Sequence, residues 1–218
     1  MKLREKAETM KKGGHTVMHT ICLKDNWTLT VLGKNVYDIP ETPIETKVPS
    51  TVYGTLLEKG LIPDPFYRDN ELDALKLMEN DFAYETTIVI SEEDRKADRL
   101  FLHFDGIDTI ADVYLNGEKM NRVWEYDITD LVAGDAADTV YQVKVVLHSP
   151  TKFIAEEEAK CPVGAASDAM PGFPHIRKAA CMYGWDWGPR LPDAGLFREA
   201  SVLAVKTARL AQVFVGQE

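Results

Sequence analysis

The segment "RLFLHFD", residues 99–105, shows the period-two spacing that is typical of a β-strand. Leu100, Leu102 and Phe104 occupy every second position, and successive side chains of a β-strand point to opposite faces. The segment is therefore predicted to be a strand with one buried face. Further along, "LNGE" at 115–118 contains Asn116-Gly117, a pair that tolerates the positive φ of a tight hairpin turn. A strand followed by a hairpin indicates an antiparallel sheet.

The same period of two recurs in "WTLTV" at 27–31 and "YQVKVVL" at 141–147. The segments "AYETTIVI" at 83–90 and "EASVLAV" at 199–205 are also predicted to be strands. Short strands separated by turn residues are typical of sandwiches. The sequence therefore predicts an all-β fold, an antiparallel β-sandwich.

Only two short helices are predicted. The first lies near residues 50–59, with Ser50 or Thr51 as its cap and Gly60 as its stop. The second lies near 150–160, with Ser149 as its cap and a proline at the first helical position. The Glu156–Glu158 run in this second helix is interpreted as a solvated face.

Composition excludes several classes of partner. The chain has 218 residues, of which 35 are acidic and 25 basic, for a formal charge of −10. A nucleic-acid-binding surface needs the opposite balance, so no nucleic acid is expected as a partner. No segment approaches the ~18 apolar residues of a membrane span, so no membrane partner is expected either.

The amino-terminal leader is basic, but no apolar run of signal-peptide length follows it. The three cysteines are odd in number and lack metal-ligand spacing. We therefore expect reduced thiols and a cytoplasmic location.

Sequence motifs for catalysis and cofactor binding were not found. The chain has neither a phosphate-binding P-loop nor a Gly-x-Ser-x-Gly nucleophile motif. His15 and His19 are four residues apart, but no third ligand is near them in the sequence. No catalytic residue, metal or cofactor is therefore predicted in this chain.

The segment "YGWDWGPR", residues 183–190, places Asp186 between Trp185 and Trp187. Two interpretations stay open on the residues alone. In the first, Asp186 caps a turn at a buried corner and the indoles fill a core. In the second, flat apolar faces beside a carboxylate form a recognition site, which suits the C–H faces and hydroxyls of a sugar. The segment belongs to a stretch, 159–196, without regular period, and loops of that length are usually functional or packed against something outside the domain.

Three blocks, in order along the chain, resemble the amino-terminal domain of β-mannosidases of glycoside hydrolase family 2. They are "VPSTVYGTLLEKGLIPDPFYRDNE" at 48–71, "FDGIDTIADVYLNGE" at 104–118 and "HIRKAACMYGWDWGPRLPDAGLF" at 175–197. The last block is the most specific, since an Arg-Lys…Gly-Trp-Asp-Trp-Gly-Pro pattern marks β-mannosidases within the family. The resemblance covers roughly residues 20–215.

The resemblance implies a jelly-roll sandwich of the galactose-binding-domain type. In the family it is followed by immunoglobulin-like domains and a (β/α)₈ barrel, and the barrel holds both catalytic glutamates of a retaining mechanism. We therefore expect a non-catalytic domain, inactive in isolation, of an enzyme that removes terminal β-D-mannose from β-mannosides. The expected divisions are a flexible leader at 1–16, the jelly roll at 17–206 and the start of a following domain at 207–218.

The same resemblance implies a substrate-binding role for three residues. Asp186 would accept hydrogen bonds from sugar hydroxyls, and Trp185 would offer an apolar face. Arg177 would orient Asp186 or contact a hydroxyl itself, with an internal ion pair as the alternative. Trp187 is expected to pack in the core, where large aromatic side chains dominate.

Two features depart from the family pattern. Ser50 stands where relatives usually have glycine. In "LNGEKMNRVWEYDITD" relatives usually carry several more residues before Arg122, so we expect a shortened loop or a break between Lys119 and Val123. A stand-alone carbohydrate-binding module and an interaction domain without a ligand remain alternative functions.

Overall fold

In a computed structural model of the chain, the described residues are 10–12, 15–34, 36–120, 124–136, 139–184, 188–210 and 212–217. Their strands are β1 (Met10–Lys12), β2 (His15–Cys22), β3 (Trp27–Leu32), β4 (Ile44–Thr46), β5 (Ser50–Thr51), β6 (Asp81–Val89), β7 (Arg99–Phe104), β8 (Ala111–Leu115), β9 (Glu118–Lys119), β10 (Glu125–Asp127), β11 (Val140–Leu147), β12 (Gly195–Leu196) and β13 (Ala200–Val205).

The strands form two large antiparallel sheets. One sheet has the order β1-β2-β13-β7-β10 and the other the order β4-β3-β6-β11-β8-β9, while β12 pairs with β5. The predicted all-β antiparallel sandwich is confirmed. Most of its core lies between the two sheets, and it includes Leu100, Leu102 and Phe104 of β7, which are 1%, 0% and 2% exposed.

Strand β13 departs from simple alternation, because all six of its residues are buried. It lies between β2 and β7, in the middle of its sheet. In its partner sheet, β11 lies between β6 and β8 in the same way, yet it keeps an alternating pattern.

Both predicted helices are present, and the described residues form three more α-helices and two 3₁₀-helices, Phe173–His175 and Ala180–Met182. The α-helices are α1 (Val52–Glu58), α2 (Glu71–Leu77), α3 (Glu92–Arg95), α4 (Thr129–Val132) and α5 (Pro150–Lys160). Thr51, and not Ser50, caps α1 by accepting a hydrogen bond from the Gly54 amide, and Ser149 caps α5. The expectation of only two helices was therefore wrong, because α3 and α4 have only four residues each and α2, although as long as α1, has no side-chain cap.

The two ends of the described chain differ in part from the expected domain boundaries. Residues 10–12 form β1 and pair with β2, so the first sheet begins inside the segment expected to be a flexible leader, 1–16. At the other end, Arg209 stacks over Phe101 and pairs with Glu125. Beyond Arg209, Val213, Phe214 and Val215 are exposed. The expected deletion or break at 119–123 involves residues 121–123, which lie outside the described residues.

We predict that Gly195→Ala destabilises the fold. A Cβ at Gly195 would lie 2.5 Å from the Ser50 carbonyl oxygen and 2.6 Å from the Thr51 Cα. Both atoms are backbone, so β5 and β12 would have to separate, at a cost of about 1–3 kcal/mol. Urea unfolding measures the loss. Gly164→Ala is the control, because its Cβ would meet nothing within 4 Å; equal stability of the two variants would contradict the packing described.

Candidate functional site

The two ends of the Trp-Asp-Trp segment are held together by a short antiparallel stem. Tyr183 and Arg190 form a β-bridge, and the Leu191 amide donates to the Met182 carbonyl over 2.8 Å. On the other side, the Met170 amide donates to the Tyr183 carbonyl over 2.9 Å. Gly184, next to the bridge, has φ of 95°, a value that favours glycine. The stem fixes where the segment begins and ends.

Arg190, on the second arm of the stem, contacts two neighbouring segments. Its amide donates to the Glu71 carboxylate over 3.2 Å, and its guanidinium reaches the Asp168 carbonyl at 3.4 Å. Glu71 is the first residue of α2 and ends the block "VPSTVYGTLLEKGLIPDPFYRDNE". The first and last of the three blocks that carry the family resemblance therefore meet at this stem.

A small apolar cluster lies under the stem, separate from the main core. Tyr183, Ile154 and Ile176 are buried in it, and the rings of Tyr183 and Phe173 stack with centroids 6.0 Å apart. Burial, and next the negative charge of Asp108, raise the pKa of the Tyr183 hydroxyl, which is therefore neutral at ordinary pH. Among the described residues this hydroxyl has no hydrogen-bond partner.

Helix α5 supports this cluster from below. Ile154 comes from α5, and a Cβ on Gly172 would lie 2.4 Å from the Ile154 carbonyl oxygen, so the backbones are in close contact. Glu158 of α5 accepts hydrogen bonds from the Val163 amide at 3.1 Å and from His175 at 3.0 Å. The interpretation of 156–158 as a solvated face was wrong for Glu158, which ties the loop to the helix.

A buried ion pair joins the second and third family blocks. The Lys178 side chain is 0% exposed and its ammonium donates to the Asp108 carboxylate. The Asp108 backbone also exchanges two hydrogen bonds with Gly195, of 2.9 and 3.1 Å. A buried ammonium without a partner is very costly, so this pair fixes the position of the segment that leads into the stem.

Asp193 supplies a second carboxylate near Lys178. It accepts hydrogen bonds from the amides of Tyr53 at 3.0 Å and Ala194 at 2.8 Å. Burial raises its pKa, while hydrogen bonds and the charge of Lys178 act in the opposite direction. Because the Tyr53 amide is in the first turn of α1, Asp193 holds this helix against the segment that follows the stem. The interactions of Asp193 are those of a structural residue.

The sequence-predicted site residues are only partly described. Trp185 and Asp186, expected to bind substrate, and Trp187, expected in the core, lie outside the described residues, so their roles stay predictions. Arg177 is exposed, and within the described part of the chain it makes no ion pair. Its neighbour Lys178 is the buried cation of the "IRK" segment. Among the described residues the ion pair of this segment is made by Lys178, and the role of Arg177 stays a prediction.

Sequence reasoning did not single out Asp108, Lys178, Tyr183 or Asp193. Asp108 and Lys178 are 70 positions apart in sequence, so no local pattern could pair them. A signal did exist, since all four residues fall inside the blocks "FDGIDTIADVYLNGE" and "HIRKAACMYGWDWGPRLPDAGLF".

No helix in the described residues is long and apolar enough to cross a membrane.

Comparison with known proteins gives a consistent result. A family model described as "Glycosyl hydrolase 2 galactose-binding domain-like" matches residues 27–198. The chain is 28% identical to the β-mannosidase of Bos taurus, over 91% of this chain and 23% of the relative. It is 32% identical to β-mannosidase B of Aspergillus terreus, over 77% of this chain and 20% of the relative.

A solved structure is also similar. The crystal structure of β-D-mannosidase from Dictyoglomus thermophilum matches with a TM-score of 0.76 at 30% identity. The match covers 88% of this chain and 23% of that chain. The present chain thus spans less than a quarter of the length of these relatives.

We predict that Asp108→Ala is strongly destabilising. The variant leaves the buried Lys178 ammonium without its partner, which costs about 3–5 kcal/mol in comparable buried pairs. Adding Lys178→Met should recover much of the loss, because the unpaired charge is removed. Urea unfolding at neutral pH measures both variants.

The surface pair Asp73 and Lys76 is the control for this experiment. Its atoms are 2.6 Å apart, but both side chains are more than half exposed. Asp73→Ala should change the unfolding free energy by no more than about 1 kcal/mol. Similar losses for Asp73→Ala and Asp108→Ala would show that the buried pair has no special role.

Proposed function

Because the chain belongs to the glycosyl hydrolase 2 galactose-binding domain-like family, whose model matches residues 27–198, we propose that it is the non-catalytic amino-terminal domain of a β-mannosidase. The whole enzyme would remove terminal β-D-mannose from β-mannosides. This chain would supply part of the sugar pocket and a scaffold for the catalytic barrel. Its partners would be the β-mannoside and the immunoglobulin-like and barrel domains of the same polypeptide.

The observation that carries this proposal is the extent of the match to β-mannosidases. It covers 91% of this chain but only 23% of the Bos taurus enzyme. A retaining glycosidase needs two carboxyl groups about 5 Å apart across the scissile bond. Around the stem, Asp108 is engaged by Lys178 and Asp193 by two backbone amides. These carboxylates are suited to holding the loop in place, and the proposal assigns the chemistry to the barrel.

The site geometry supports the assignment of Asp186 as a sugar-contacting residue. A carboxylate positions a ligand well only if its own backbone is fixed. The stem, the buried pair Lys178–Asp108 and the contact of Arg190 with Glu71 fix both ends of the segment that contains Asp186. Trp185 would cover an apolar face of the sugar, and Arg177, which is exposed, would contact a hydroxyl or Asp186.

A cytoplasmic location is likewise a proposal. It is supported by three free thiols, Cys22, Cys161 and Cys181, all of which are exposed. Exposed thiols remain reduced most readily in the cytoplasm.

We predict that the 218-residue chain alone does not hydrolyse a chromogenic β-mannoside. In the proposal it lacks the acid/base and the nucleophile, and part of a pocket cannot be complementary to a transition state. Release of the chromophore should equal the buffer blank. Turnover by a pure sample that disappears on substitution of one of its own residues would contradict the proposal.

We predict that a hybrid enzyme is active. In this hybrid the matching segment of the Dictyoglomus thermophilum β-mannosidase is replaced by residues 10–210 of this chain, which include β1 and Arg209. It should hydrolyse a β-mannoside, whereas the enzyme with that segment deleted should not. In the hybrid, Asp186→Ala should lower kcat/KM by about 10²-fold or more, because a charge-assisted hydrogen bond to the sugar is lost.

Asp168→Ala is the matched control in the same hybrid. Asp168 is an exposed aspartate whose backbone carbonyl faces Arg190, and its side chain makes no hydrogen bond or ion pair in the described residues. Its substitution should leave kcat/KM within about twofold of the unsubstituted hybrid. If Asp186→Ala behaves like Asp168→Ala in a folded hybrid, Asp186 does not bind the sugar.

A further inference from the structure

A cleft of about 360 Å³ opens at the end of the sandwich where β8, β10 and the start of α5 come together. Neither the stem residues Tyr183 and Arg190 nor the buried pair Lys178–Asp108 lines this cleft. Its lining residues are Ile107, Thr109, Ile110, Ala111, Asp112, Val113, Trp124, Tyr126, His148 and Phe153. The volume lies at the low end of the ~300–1,000 Å³ that is usual for small-molecule sites. One sugar ring would fit such a volume.

One wall of the cleft carries an exposed aromatic face. Trp124 precedes β10 and is 48% exposed, although a tryptophan is highly buried on average. Phe153 and Ile110 continue the apolar wall, and both are only partly buried. A flat indole next to aliphatic side chains suits the C–H face of a pyranose ring, because both surfaces are apolar and flat.

The opposite wall carries a fixed carboxylate. The Oδ2 atom of Asp112 is 2.7 Å from the Lys119 ammonium and 3.2 Å from His148 Nε2. Burial tends to raise the pKa of Asp112, but the hydrogen bonds from Lys119 and His148 outweigh it and lower the pKa. Asp112 Oδ1 has no hydrogen-bond partner among the described residues, so the carboxylate keeps an acceptor for a ligand hydroxyl.

The basic side chains near the cleft already have acidic partners. Lys119 pairs with Asp112, and His148 lies between Asp112 and Asp81, with its Nδ1 atom 3.2 Å from Asp81 Oδ2. Within the described lining residues no further cation is available to neutralise a ligand carboxylate. The charge distribution therefore favours a neutral sugar over a uronic acid.

The cleft adjoins the base of the Trp-Asp-Trp stem. Ile110 and Phe153 line the cleft and also pack against the cluster that contains Tyr183. Thr109 lines the cleft and directly follows Asp108, the partner of Lys178. A ligand with more than one sugar ring could therefore contact both the cleft and the Trp-Asp-Trp segment.

We propose that this cleft is a sugar subsite, which takes one neutral pyranose ring of a β-linked oligosaccharide. Trp124 stacks on the C–H face of the ring, and Asp112 Oδ1 accepts a hydrogen bond from a hydroxyl. The identification of the oligosaccharide as a β-mannoside rests on the proposed function, whereas the preference for a neutral pyranose comes from the cleft itself.

The test is an NMR titration of the 218-residue chain with β-1,4-mannobiose, in which the indole N–H signals of the tryptophans are followed. The Trp124 signal, assigned with Trp124→Phe, should shift with a millimolar Kd. Trp124→Ala should weaken binding by about tenfold or more, because the stacking surface is lost, while Trp124→Phe should keep most of it. Methyl β-D-glucuronide should bind at least about tenfold more weakly than mannobiose.

Phe66→Ala is the matched control, since Phe66 is an aromatic residue that is 71% exposed and does not line the cleft. It should leave the Kd for mannobiose unchanged. The proposal is wrong if the Trp124 signal does not move at about 50 mM mannobiose, where a millimolar site is nearly saturated. It is equally wrong if Trp124→Ala binds as the unsubstituted chain does.

These outcomes are separable from the proposed function. An active hybrid enzyme that depends on Asp186, combined with an unresponsive Trp124 signal, would overturn the cleft and leave the proposed function intact. Binding of mannobiose at Trp124, combined with an inactive hybrid, would support the cleft and count against the proposed function.

Discussion

The ion pair between Lys178 and Asp108 is the constraint on which the arrangement of the loops depends. An ammonium with a side chain that is 0% exposed is stable only beside a negative charge, and Asp108 supplies it. The bond joins the segment that enters the stem to the segment that links β7 and β8. Gly195, which exchanges hydrogen bonds with Asp108, brings β12 and then β5 to the same place. A single buried charge pair thus positions elements that are far apart in sequence.

The architecture separates the fold from the binding surface. The two sheets bury the inward faces of their strands in the main core. The stem and the small cluster around Tyr183 lie beyond that core, and α5 supports them through Ile154 and Glu158. The cleft around Trp124 lies at the edge of the main core. Loops held by a rigid scaffold can present polar groups to a ligand without loss of the core. This division suits a domain that contributes residues to a pocket completed by another part of an enzyme.

The sequence predicted the sheets better than it predicted the site. The period of two in 99–105 and 141–147 indicates burial directly, because every second side chain of a strand in a sandwich points into the core. These segments contain strands β7 and β11. Caps also act locally, so the helices α1 and α5 were predicted near their observed bounds. By contrast, α2 is as long as α1, with seven residues, but its N-cap residue makes no side-chain hydrogen bond, so no cap marked it.

The site itself depends on contacts that local patterns cannot reveal. Arg177 and Lys178 are adjacent and chemically alike, yet one is exposed and the other has a fully buried side chain. The difference arises from Asp108, 70 positions away from Lys178, and no window of sequence contains both. Family resemblance identified the blocks, but only the fold shows which of their described residues are buried, such as Tyr183 in the cluster below the stem.

Amide hydrogen exchange of the stem tests the central claim most directly, namely that the ends of the Trp-Asp-Trp segment are rigidly held. The amides of Leu191 and Met170, bonded to the carbonyls of Met182 and Tyr183, should exchange nearly as slowly as the hydrogen-bonded amides of β13. The Phe66 amide, bonded only to the Asp64 side chain in an exposed turn, should exchange much faster. If Leu191 and Met170 exchange as fast as Phe66, the stem is not held and the account is contradicted.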